Sequence, residues 1–152
     1  MVVFSAEGQP ITQFGSTGVA AGQFAEPVGL AVDASGRLYV ADTWNQRIQV
    51  FTPNGSGGYT PATSYDVAGW LTTSVNNKPY IALDPEGNIF ITDPDGYRVI
   101  ELSSTGSIVR YWGTLGSDDA SFNIPTGIIA DTHGGVWVVD SSNNRLMYFT
   151  LP

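Results

Sequence analysis

The sequence predicts an all-β protein built from repeated sheets of four short antiparallel strands. Three observations predict it. One segment recurs three times: Pro27–Phe51, Pro79–Leu102 and Pro125–Phe149 read as gapless copies. Each copy consists of short β-branched and aromatic runs separated by turn residues. No stretch shows the 3.6-residue periodicity of an amphipathic helix. Asp33, Asp84 and Asp131 correspond, which sets repeat spacings of 51 and 47 residues. Four strands in a period of about 40–50 residues is the pattern of a β-propeller blade.

The elements follow in order within the first copy. Leu30–Val32, Leu38–Ala41 and Ile48–Phe51 read as strands. Asp33 to Gly36 reads as the tight turn between the first two, since glycine tolerates positive φ. The counterparts of Gly36 are Gly87 and Gly134. A fourth strand precedes each copy: Ile11–Phe14, Ser64–Val67 and Ile108–Trp112. The four-residue difference between the two spacings falls in Asn54–Ser64, which reads as a loop. The domain reading is one domain over 1–152, with repeats at about 24–70, 76–113 and 122–152 and N-terminal closing strands within 2–15.

Composition narrows the function. The chain is 42% hydrophobic, enough for a core, and only 13% charged. Fourteen acidic residues against six basic ones give a net charge of −8. Phosphate backbones are bound by clustered Lys and Arg, which this chain lacks, so nucleic acid is not an expected partner. No apolar run approaches the roughly 18 residues of a membrane span, and Met1–Phe4 does not have the pattern of a signal peptide. The expectation is a soluble chain without membrane insertion. Its compartment stays open, an extracytoplasmic bacterial one included. Cysteine is absent, so disulfides and thiolate metal sites are excluded. No cofactor is expected.

The run from Gly22 to Phe51, GQFAEPVGLAVDASGRLYVADTWNQRIQVF, resembles an NHL repeat nearly residue for residue. The resemblance extends over almost the whole chain. The second copy departs most, with Asn76 where Phe24 and Phe122 stand, and Asp95-Gly96 where Trp44-Asn45 and Ser142-Asn143 stand. The resemblance implies a propeller whose innermost strand is the Gly-Leu-Ala-Val one. The family's members include protein-interaction domains, RNA binders, extracellular sensor domains of bacterial kinases and a few lyases.

Several polar and aromatic residues are candidates for a site. Asp42, Asp93 and Asp140 pair by position with Arg47, Arg98 and Arg145. A carboxylate that accepts turn N–H groups, with an Arg fork on it five residues later, is a scaffold device. A motif present in every repeat reads as turn structure. Asp33, Asp84 and Asp131 read in the same way, the alternative being a cation in the channel. His133, the single histidine, occupies a turn position held by Ser35 and Glu86 in the other copies, so it reads as a solvated loop residue. Tyr39, Phe90 and Trp137 share one position and read as a core layer. Trp44 and Trp70 stand outside the pattern, in polar loops, and are the candidate anchors for a protein or glycan partner. No Gly-x-Ser-x-Gly elbow, phosphate loop or zinc motif occurs, so no catalytic residue is assigned. The reading is a non-catalytic binding and assembly module. The alternative is a piece of a lyase-like propeller or of a bacterial extracellular sensor domain.

Propellers close with about 4–8 blades. Three blades leave apolar faces open, and two copies make six. The opening residues Val2–Gly8 match Gln49–Gly55, so the chain starts on a third and a fourth strand, while its last copy has no fourth strand. The expectation is a homodimer closed by strand exchange. Strands 2–5 and 146–149 compete in it for one slot.

Overall fold

The repeated runs form sheets, and the turns between them follow the glycines. β1 (Val2–Phe4) and β2 (Pro10–Gln13) make an antiparallel hairpin. β3 (Ser16–Thr17) and β4 (Gln23–Phe24) form a short parallel pair. The first sheet is β5 (Pro27–Val32), β6 (Leu38–Asp42), β7 (Arg47–Pro53) and β8 (Tyr59–Asp66), in that order. The second is β9 (Ile81–Leu83), β10 (Ile89–Asp93), β11 (Arg98–Leu102) and β12 (Ile108–Trp112). The third has three strands: β13 (Pro125–Ala130), β14 (Gly135–Asp140) and β15 (Arg145–Thr150). The fold comes from a computed structural model and is described for residues 1–70, 74 and 77–151. Asn76 and the repeat boundaries at 76 and 152 lie outside the described residues. Among the described residues no helix is long and apolar enough to cross a membrane.

Every pairing within the three sheets is antiparallel, as expected. The Asp33–Gly36 turn closes through Gly36 N–H on Asp33 O at 2.9 Å, with Gly36 at φ 81°. The same bond recurs from Gly87 to Asp84.

Two expectations need correction. Asn54–Ser64 is not a loop. Its second half is strand β8, which starts at Tyr59 and pairs with β7 as far as Pro53. Pro61 is accommodated because β8 is an edge strand, where a missing donor N–H costs no ladder bond. The copies are not gapless either. From Pro79 to Asp84 the second copy is one residue shorter than Pro27 to Asp33 or Pro125 to Asp131. The reason is visible in the ladders. The first and third sheets carry a bulge, between Pro27 and Leu30 and between Pro125 and Ile128, and β9–β10 pairs without one. At the N-terminus the strands within 2–15 form as expected, with β1 on the inner edge of β2.

The core lies between the sheets. Tyr39, Ala41, Ile48 and Val50 of the first sheet pack against Ile81, Ile89, Ile91, Ile100 and Leu102 of the second. One sheet further on, Phe90 and Val99 pack against Val136 and Val138, with Trp112, Met147 and Phe149 around them. The β1–β2 hairpin repeats this arrangement at the other end, where Met1 and Phe14 lie on Leu38, Val40 and Phe51. Phe14 sits 5.5 Å from Phe51, as Trp112 sits 5.8 Å from Phe149. The hairpin therefore occupies the outer half of a sheet preceding the first.

The repetition exposes where packing stops. Tyr39 and Phe90 are each 2% exposed, and their counterpart Trp137 is 43% exposed. Ile48 is 0% exposed and its counterpart Leu146 66%. Ile129, Val139 and Tyr148 complete this uncovered face of the third sheet. At the opposite end Leu30 and Val32 are exposed as well, because the hairpin covers only the outer part of the first sheet.

Candidate functional site

The polar clusters at the turns after the second strand of each sheet are built from the repeated aspartates. Asp42 is fully buried. Its Oδ1 accepts the Ala25 N–H at 2.7 Å. Its Oδ2 accepts Asn45 Nδ2 at 2.9 Å, Arg47 Nε at 2.8 Å and Gln49 Nε2 at 2.9 Å. Arg47 continues through Nη2 to the carbonyls of Ala20 and Gln23. Asp140 repeats the pattern with the Asn123 N–H, Asn143 and Arg145, and Arg145 reaches the carbonyls of Ser117, Asp118 and Ser121. Both turns end on a residue at φ 54°, Gln46 and Asn144, and Tyr97 holds this conformation in the second sheet.

Asp93 departs, as its altered turn predicts. It accepts Gly96 N–H at 3.2 Å and Arg98 Nε at 2.8 Å, while Arg98 stacks over the Tyr111 ring. Burial pushes the Asp93 carboxyl above the usual aspartate range, and Arg98 pulls it back in part. In the first and third sheets the charges are spent on backbone N–H groups, side-chain amides and carbonyls, and in the second on the Gly96 N–H, the Asp93–Arg98 pair and the Tyr111 ring. Sequence reading missed Gln49, whose amide bridges Asp42 and the Gln23 carbonyl. Its one signal was a glutamine inside an apolar strand.

Arg47→Ala removes a donor from buried Asp42 and from two carbonyls, so a loss of about 1–3 kcal/mol in unfolding free energy is expected. Thermal melts of the Arg47, Arg98 and Arg145 alanine variants check this. Three unchanged midpoints would remove these residues from the scaffold.

The two candidate tryptophans separate. Trp44 lies in the 3-10 turn Thr43–Asn45, is 40% exposed, and borders an open depression of about 410 Å³ with Ser16, Thr17 and Pro27. Trp70 is 1% exposed and packs in the core between the first and second sheets. It is not a solvent-facing anchor, which corrects the expectation for it. Gln46 Nε2 donates to its carbonyl at 2.6 Å, so the chain around it is tied to the end of the Thr43–Asn45 turn.

Asp33, Asp84 and Asp131 serve their own turns. Asp33 accepts the N–H groups of Ser35 and Arg37, Asp84 that of Asn88, and Asp131 those of His133 and Gly135. Burial raises the Asp33 carboxyl, but its bonds from Ser35 and Arg37 outweigh that and bring it down to about 2. Among the described residues no group of three acidic or histidine side chains is placed to hold a metal. His133 is exposed, in the turn. It borders a cavity of about 430 Å³ between the second and third sheets, together with Glu86, Glu101 and Arg110. Glu101 takes the position of apolar Val50 and Tyr148 and is buried beside Arg110, with Nε–Oε2 at 2.6 Å. Burial raises its carboxyl above the ordinary range, and Arg110 opposes the shift. An acid in an otherwise apolar repeat position was its sequence signal.

The NHL repeat family model matches residues 24–51, the segment that holds β5, β6, the Asp42 turn and most of β7. This is an NHL-repeat chain. It is 31% identical over 148 residues to human NHL repeat-containing protein 3, a match covering 84% of this chain and 42% of that protein. Among solved structures, the Myceliophteria thermophila Cps50 (Swd1) β-propeller domain superposes with a TM-score of 0.62 at 16% identity, over 95% of this chain and 42% of that one. A streptogramin B lyase structure superposes with a TM-score of 0.60 at 18% identity, over 98% and 47%. At these identities the two structures speak for the fold alone. The NHL-repeat chain spans less than half the length of each of these three proteins.

Proposed function

We propose that this NHL-repeat chain is a non-catalytic binding and assembly module whose main activity is self-association into a homodimer, with a loop face around Trp44 open to a protein or glycan partner. The uncovered face of the third sheet carries the proposal. The positions that bury Tyr39 and Ile48 between sheets leave Trp137 and Leu146 in solvent. Contiguous apolar surface of this kind marks an interaction site. Leu30 and Val32 are uncovered at the other end, so two copies related by a two-fold axis bring unlike ends together twice. Three sheets per copy then make six, within the range of closed propellers. A lyase-like activity would call for several histidines, and the chain has one.

Light scattering on the 16.2 kDa chain tests this. A mass of two chains is expected at micromolar concentration, and a stable monomer would sink the proposal. The partner class is also testable. With one lysine and a net charge of −8, counterion release offers no drive toward phosphate backbones. Labelled RNA is expected to pass unretained at physiological salt. Salt-sensitive binding at low micromolar protein would refute that part.

A further inference from the structure

We infer that in the assembled protein β15 of one copy takes the place that β1 holds against β2 in the other, so that β2 becomes the fourth strand of a second copy's third sheet. The inference rests on the self-association reading and names the surface through which it occurs.

The register supports it. The hairpin pairs Val2 with Gln13, Val3 with Thr12 and Phe4 with Pro10, with a bulge between Val3 and Phe4. β11 and β12 pair Ile100 with Tyr111, Glu101 with Arg110 and Leu102 with Ile108, with a bulge between Glu101 and Leu102. The two ladders are the same ladder. β2 therefore already has the form of a fourth strand, and among the described residues β15 pairs with β14 alone. Transferred to this register, Met147 lies opposite Gln13 of the second copy, Tyr148 opposite Thr12 and Phe149 opposite Pro10.

One of the two competing strands must give way, and β1 has less to lose. It pairs over three positions, and its Val2 and Phe4 side chains are exposed. β15 pairs with β14 over six positions, and Arg145 at its start is fixed to Asp140 and three carbonyls.

The faces fit as well. Between the second and third sheets, Ala82, Phe90 and Val99 meet Ile128, Ala130, Val136 and Val138. In the exchanged arrangement their counterparts Ile129, Trp137 and Leu146 meet Leu30, Val32, Leu38 and Val40 of the second copy. None of these residues is charged, so the apolar part of the contact sets no like charges against each other although each copy carries −8 overall. Leu30 and Val32 lose the exposure they have in the single chain.

The chain contains no cysteine, so introduced ones report alone. Gln13→Cys chains mixed with Met147→Cys chains are expected to form a disulfide-linked heterodimer, because residues directly opposite in a ladder are close enough for the bond after slight adjustment. A chain lacking Val2–Phe4 is expected to dimerise about tenfold more tightly, since the competing strand and its three cross-strand pairs are gone. A dimer that forms without this cross-link, or that the deletion weakens, overturns the exchange and leaves self-association standing. A monomer for every variant overturns both.

Discussion

Asp42→Ala is expected to cost about 3–5 kcal/mol of unfolding free energy, the range found when one member of a buried charged pair is removed. Asp42 is fully buried and accepts four hydrogen bonds, from Ala25, Asn45, Arg47 and Gln49. Its loss leaves the Arg47 guanidinium and the Gln49 amide facing an apolar methyl group. The Ala25 bond is also lost, which leaves the linker entering the first sheet held to the turn leaving β6 by the Thr43 and Trp44 N–H groups on the Glu26 and Ala25 carbonyls. Asp42→Asn keeps Oδ1 for Ala25 and gives up the charge, so it should fall between wild type and alanine. Urea titration followed by tryptophan fluorescence checks both variants. Equal stability of Asp42→Ala and wild type would mean that the cluster does not hold the turn.

Trp70→Ala is expected to destabilise by about 3–5 kcal/mol, the usual cost of emptying a large aromatic site in a core. Trp70 packs with Ile48, Val67, Ile100 and other residues between the first and second sheets. Trp44→Ala supplies the contrast. Its side chain is well exposed at a turn, and a change within about 0.5 kcal/mol is expected. The same denaturant series measures both. If Trp70→Ala were as mild as Trp44→Ala, the first two sheets would not be joined through this residue.

That pair of tryptophans also marks how far the sequence could be read. The repeat was legible because Asp, Gly and Arg return at constant offsets, and those offsets carry turns and a charge network that any residue-by-residue alignment detects. The order of strands followed, and so did the scaffold role of Asp42, Asp140 and their arginines. Trp70 was misread because its neighbours, Gly69 and the polar residues after it, look like a solvent loop. Burial of a loop residue depends on the next sheet, which local pattern does not contain. The bulges at Pro27–Leu30 and Pro125–Ile128 were hidden for a related reason. One extra residue shifts a ladder without changing the alternation on either side of it, so a gapless reading passed over the shorter second copy. The length of β8 was hidden by Pro61, a residue that argues against strand everywhere but at an edge.

The first sheet touches the hairpin and the second sheet, and the second touches the third. Stability in such a stack is close to a sum of unit terms and nearest-neighbour terms. The second sheet, with a whole sheet on both faces, has the largest share, and the hairpin and the third sheet have the smallest. Unfolding should then begin as fraying at β1 and β15 and travel inward. Joining end to end would abolish the ends themselves, turning a gradient of local stability into a single cooperative unit.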